Sequence, residues 1–266
     1  MAYRTIMAFV LAALMLAAVS GEVWAVQVGT LIKAEGPVEL LRKGKLPASQ
    51  AQIHDSLEPG DVIRTKTGGR AQVRFIDDSI LTIAPGSMVI ISYYLYDSSR
   101  CLRRAVLKVV RGLTACVVSQ LLQAEQPTFL MQTHTALLGV RGTKWYALLG
   151  ATYTAAFNET GELEVSSLKK EIGKKVLLKS GETSTVALDL PPTDPQPYPD
   201  MMRRLLENWL VNGVPERLIS MSPLELPWLK LPQFPEKPED LPEGLFVPPA
   251  VPPPGQSLPP SIERTR

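Results

Sequence analysis

Between Val26 and Leu190 the chain is written in short runs whose apolar residues fall on every second position, each run ending at a turn signal. Ala71, Val73 and Phe75 alternate with Gln72 and Arg74, and Leu163 and Val165 alternate with Glu162 and Glu164. A period of two places one side chain set on one face of a pleated strand, so these runs are strands with one buried face. Pro59-Gly60 and Pro85-Gly86 put proline and glycine at the two central positions of a type II turn. Asp77-Asp78-Ser79 and the stretch from Asn158 to Gly161 mark further reversals. Strands thus recur at spacings of roughly eight to twelve residues, which predicts an all-β fold of many short strands in an elongated sandwich, roll or solenoid-like stack. Leu57-Glu58-Pro59-Gly60-Asp61 and Leu178-Lys179-Ser180-Gly181-Glu182 echo one another and predict similar corners at two ends of that structure.

The two ends of the chain read differently. Arg4, the apolar run Ile6 to Val19, and Val23-Trp24-Ala25 have the layout of a cleaved signal peptide over residues 1–25, with an uncleaved anchor as the alternative. The mature chain is then expected to begin near Val26 in the periplasm or outside the cell, with no later segment apolar for long enough to span a bilayer. Proline becomes dense from Pro191, so residues 191–199 read as a linker and 214–266 as a largely disordered proline-rich tail. Between them, residues 200–213 form one amphipathic helix. Asp200 is placed to cap it and Gly213 to end it, with Met201, Met202, Leu205, Leu206, Trp209 and Leu210 on one face. That face needs a cover: the chain's own β body, a partner reached through Leu205, Leu206 and Trp209, or a lipid headgroup region.

A formal net charge of +2 argues for neither nucleic acid nor an anionic membrane. The local exception is Arg100, Arg103, Arg104, Lys108 and Arg111. Preceded by Tyr93, Tyr94 and Tyr96, it suggests either an ordinary strand face or an aromatic and cationic platform for a glycan or peptide, with Arg103 and Arg104 as its cations. Cys101 and Cys116 are the only cysteines. Export permits a disulfide between them, but a tight hairpin at Arg111-Gly112 would set Cys116 opposite about residue 107 instead. His54 and His134, the only histidines, lie far apart, and neither a metal motif nor a nucleophile elbow accompanies them. The expectation is no catalytic residue, no metal and no cofactor.

The most distinctive stretch is Thr133 to Trp145, THTALLGVRGTKW, in which Gly139 and Gly142 flank Val140 and Arg141. Glycine there predicts positive φ or a close approach, with Arg141 held at a sharp bend. Upstream, in order, stand LEPGDVIRT (57–65), GRAQVRF (69–75) and DDSILTIAPGS (77–87). Together with GVRGT these pieces resemble the FecR domain family of exported bacterial proteins, over roughly residues 28 to 188. The chain departs from that family at His134, where FecR-like sequences commonly carry proline. The resemblance implies an almost wholly β domain over 26–190, located outside the cytoplasm, with Gly60, Asp61, Gly139, Arg141 and Gly142 as its fingerprint. For Arg141 two roles follow: fastening strands through backbone carbonyls, Asp61 or Asp78, or presenting a guanidinium to an anionic ligand. The family's namesake relays an iron-transport signal to a sigma factor through a membrane span. A signal peptide in that place implies instead a non-enzymatic binding or scaffolding module of the cell envelope. Its expected partner is an envelope protein, within a signal relay, or a cell-wall glycan.

Overall fold

The computed structural model describes residues 26–119, 128–140 and 142–226; the signal-peptide reading, Arg141 and the tail beyond Leu226 lie outside the described residues. The strands are β1 (Gly29–Glu35), β2 (Val38–Leu41), β3 (Ser49–Gln50), β4 (Ser56–Leu57), β5 (Val62–Thr65), β6 (Arg70–Phe75), β7 (Ile80–Ile83), β8 (Met88–Asp97) and β9 (Leu102–Val118). There follow β10 (Phe129–Gln132), β11 (Ala136–Val140), β12 (Thr143–Leu149), β13 (Tyr153–Thr160), β14 (Leu163–Ser167), β15 (Lys175–Leu178), β16 (Glu182–Ala187) and β17 (Gln196–Pro197). Two helices close the described chain, α1 (Asp200–Asn212) and α2 (Glu216–Ser220).

The strands form two layers that share one strand. Layer one runs β4-β1-β6-β7-β9-β12-β13-β16-β17. Layer two runs β3-β2-β5-β8-β9-β10-β11-β14-β15, and its β9–β10 pair is parallel, so the sheet is mixed. Up to Arg111, β9 pairs with β8; from Gly112 onward it pairs with β12. Gly112 sits at that change of layer with φ +91°, and a Cβ there would collide with Ser87, meeting its Cα at 2.7 Å. Only glycine fits this corner.

The core lies between the layers. Val73, Phe75 and Trp145 come to it from layer one, and Ile91, Leu107, Phe129 and Val165 from layer two. Strand β6 keeps the alternation read in the sequence, with Ala71, Val73 and Phe75 buried and Arg74 exposed. Strands β12 and β13 are buried on both faces, because α1 covers the outside of layer one. Trp145 and Ala147 enter the inter-layer core, while Tyr146 and Leu148 meet Met202, Leu205, Leu206 and Trp209 of the helix.

The two echoed corners are built alike. Gly60 and Gly181 have φ of +94° and +82°, and Asp61 and Glu182 each donate N–H to the residue three back, at 3.1 Å. Their carboxylates also accept from Glu58 N–H at 3.1 Å and Lys179 N–H at 2.7 Å. Each corner carries the chain from one layer to the other, β4 to β5 and β15 to β16.

Several expectations are corrected. Arg111-Gly112 is no hairpin; it is the bend inside a 17-residue strand. Cys101 precedes that strand and is exposed, whereas Cys116 lies near its far end, buried, and both thiols are free, so no disulfide joins them. Residues 191–199 are not a free linker. Thr193 and Gln196 bond β16 backbone, and the Tyr198 hydroxyl donates to Asn158 O at 3.1 Å. The tail is ordered as far as Leu226, which is buried with Leu218 against layer one. At the start of α1 the capping position belongs to Pro199, and Asp200 makes no capping bond. Gly213 ends the helix as expected, its N–H donating to Trp209 O at 2.9 Å.

Candidate functional site

Among the described residues the most heavily bonded side chains are buried, close to the turn that closes the β8–β9 arm. Arg103 Nη1 donates to Asp77 Oδ2 at 2.8 Å, with both side chains at 1% exposure or less. The same nitrogen donates to Ser119 O at 2.8 Å, and Nε donates to Thr128 Oγ1 at 3.2 Å. Asp77 also accepts from Tyr94 OH at 2.6 Å and from the Ser79 hydroxyl at 2.7 Å. Burial works to raise the Asp77 pKa, but the hydrogen bonds from Tyr94, Arg103 and Ser79 outweigh it and hold the carboxyl below its ordinary range. The Tyr94 phenol is pushed up by burial and by the Asp77 charge, so it stays protonated. Every polar group here is matched within the fold. Such a network fastens the arm to the body and offers a ligand no free group.

The expected platform therefore comes apart. Tyr94 and Arg103 point inward, Tyr94 stacking on Phe75 at 4.6 Å, and Tyr96 packs partly against the core. Tyr93 and Arg104 stay outside. The strand period had to separate neighbours in this way, which a run of like residues conceals. The fingerprint residues are also spread out. Asp61, fully buried, is held by Arg42 at 2.9 Å and by Lys43 N–H at 2.9 Å, in the β4–β5 corner. Asp78 is exposed in a turn. Gly139 is not at a bend but within β11, between Leu130 and Glu164 of the flanking strands, and Gly142 stands just before β12. His134 is half-buried, and burial lowers its pKa. Among the described residues no cluster of His, Cys, Asp or Glu could hold a metal ion.

Among the described residues, the outer face of layer two is left uncovered. Its registers align Lys108, Gln132, Leu137, Ser166 and Lys175 in one row across β9, β10, β11, β14 and β15. Tyr93, Val106, Leu130, Gly139, Glu164 and Leu177 form the next. No helix covers this face among the described residues, in contrast to layer one. At one end Arg104, Lys108 and Arg111 are exposed, with no acidic partner among the described residues. At the other end a cavity of about 590 Å³ is walled by Lys169, Lys170, Lys174 and Lys175, with Gln132, Leu137 and Ser166 on its floor. Lys169, Lys174 and Lys175 pair with Asp189, Asp194 and Glu164 at 2.7–2.8 Å. These pairs are exposed, so each is worth about 0–1 kcal/mol and a multivalent anion can displace it. The signal for this cleft lies in the chain itself: Lys169-Lys170 and Lys174-Lys175 flank Gly173, whose φ of +67° turns the backbone.

Two solved structures of a candidate anti-sigma factor from Parabacteroides distasonis ATCC 8503 are similar to this chain at 16% identity. One match covers 55% of this chain and 64% of the other, with a TM-score of 0.43. The second covers 60% and 74%, with a TM-score of 0.44. The chain thus spans less than two thirds of the first of them. No curated protein matches it. A family model described as FecR protein matches residues 61–169, from the corner at Asp61 to the lysine cleft, taking in β5 to β14 and the shared strand β9. Over those residues the chain is similar to FecR proteins.

Proposed function

We propose that this chain is a non-enzymatic binding module of the bacterial cell envelope, exported to the periplasm or beyond, that serves signal transduction by engaging an envelope protein on the outer face of layer two. One observation carries the reading: the two sheets end differently. Layer one spends the apolar face of α1 on its own body, so Leu205, Leu206 and Trp209 are not free to meet a partner. Layer two leaves a basic, half-apolar face open. The FecR match covers the part of that face built by β8 to β14, and supports a regulatory role. No nucleic acid, metal or cofactor enters the proposal, and among the described residues no helix is long and apolar enough to cross a membrane.

The test is capture from the envelope fraction by the chain from Val26 to Arg266, beside Arg104→Glu with Lys108→Glu. The proposal expects a specific partner lost from the charge-reversed pair and kept by Arg217→Glu, a surface change on α2. Equal recovery by all three would reject the face.

The lysine cleft favours a second reading, in which the ligand is an anionic cell-wall glycan. Sedimentation with purified peptidoglycan, weakened by Lys170→Glu with Lys174→Glu, would support it. Absence of co-sedimentation would remove it.

A further inference from the structure

Strand β8 pairs with β9 along its length, but with β5 only at Met88, Val89 and Ile90. Ile91 closes that side, donating to Asp61 O at 3.0 Å and accepting from Gly60 N–H at 2.6 Å. Ser92 forms a bulge, and from Tyr93 to Asp97 no described strand occupies the other edge. Such an edge presents unpaired N–H and C=O groups and is a ready template for another strand.

The terminal strands of both layers are guarded. β3, β4 and β17 are two residues long, and β17 contains Pro197. β15 carries Lys175 and lies between Lys174 and Lys179. β8 has none of these protections: Met88 to Tyr96 holds no charge, proline or glycine, and its β-branched and aromatic residues suit an extended chain. Its inner side is already fixed by Tyr94 on Phe75 and Asp77, so the edge is rigid before anything pairs with it. Outside, Tyr93 and Leu95 are 47% and 40% exposed.

We infer that this edge pairs antiparallel with the same edge of a second copy, about a two-fold axis normal to the sheet. An isologous contact must tolerate itself: the stretch Ser92 to Tyr96 carries no charge, so pairing limited to it brings no like charges face to face, and Asp97 lies beyond the paired stretch. A register centred on Tyr94 sets Tyr93 beside Leu95 of the partner subunit on the same outer face. The second layers of the two copies then become one continuous sheet, and their basic faces lie side by side. This inference stands on strand pairing and does not depend on the proposed function.

Sedimentation equilibrium of the chain from Val26 to Arg266, over a broad concentration series, tests it. The expected result is a concentration-dependent mass twice that of the chain, reduced to a single chain in Leu95→Lys and in Tyr93→Lys. Both side chains are exposed, so the thermal midpoint of the variants should stay near that of the parent, which separates lost pairing from lost folding. Leu177→Lys, on the guarded edge β15, should leave the dimer intact. A monomer at every concentration, a dimer that survives Leu95→Lys, or a dimer lost in Leu177→Lys would each overturn the inference.

Discussion

Arg103 and Arg104 are adjacent in the chain and opposite in fate. One guanidinium is sealed against Asp77 near the turn that closes the arm; the other faces solvent. Removing one member of a buried pair leaves the other charge without its counterion, at a cost of about 3–5 kcal/mol. Asp77→Asn and Arg103→Met should each destabilise by that order. The double variant should lose clearly less than their sum, as measured by urea unfolding of all four members of the cycle. The pair also sets a pH dependence. Asp77 titrates below its unfolded value, so its contribution is complete above about pH 4 and is lost as the pH falls through the folded value. The parent should therefore lose more stability on acidification below about pH 4 than the double variant does; parallel curves would show that Asp77 is not the group responsible.

At the scale of the element, period and length decided what could be read. Strand β6 and helix α1 show their faces plainly, because one side of each is apolar and the other polar. The first turn of α1 hides its cap: Asp200 has the chemistry of a cap but stands one residue inside it. The proline segments misled for a different reason. Proline forbids ladder donors, yet it does not forbid packing, and Tyr198, Leu218 and Leu226 find the same apolar surface as the helix. A chain ending at Leu190 should consequently expose Tyr146, Leu148 and Phe157, bind a hydrophobic dye and melt earlier than the parent. One ending at Leu226 should keep the parent's midpoint. Equal midpoints for all three would mean that the cover over layer one contributes nothing to stability.

For the molecule as a whole, β9 is the strand through which both layers are joined, and Gly112 is where it turns. Gly112→Ala adds a methyl group against Ser87 in a backbone conformation that alone costs about 1–3 kcal/mol in a residue with a Cβ. Its effect should reach both layers, lowering the unfolding midpoint followed by tryptophan fluorescence and by far-UV circular dichroism together. A change in one signal only would show that the layers unfold separately.

The all-β class, the turns at Pro59-Gly60, Asp77 to Ser79, Pro85-Gly86 and Asn158 to Gly161, the buried face of β6, the helix and the FecR resemblance were legible in the chain, since each depends on residues near one another; the bend expected at Gly139 was not. Strand pairing depends on residues far apart. That β9 serves two layers, that Cys101 is exposed while Cys116 is buried with both thiols free, and that Arg103 turns inward to Asp77 all came from the folded arrangement. So did the packing of α1 on its own sheet, while no described helix covers the outer face of layer two. A local pattern states which side of a strand is apolar, but what covers that side is settled by the burial and hydrogen bonding of the whole chain at once.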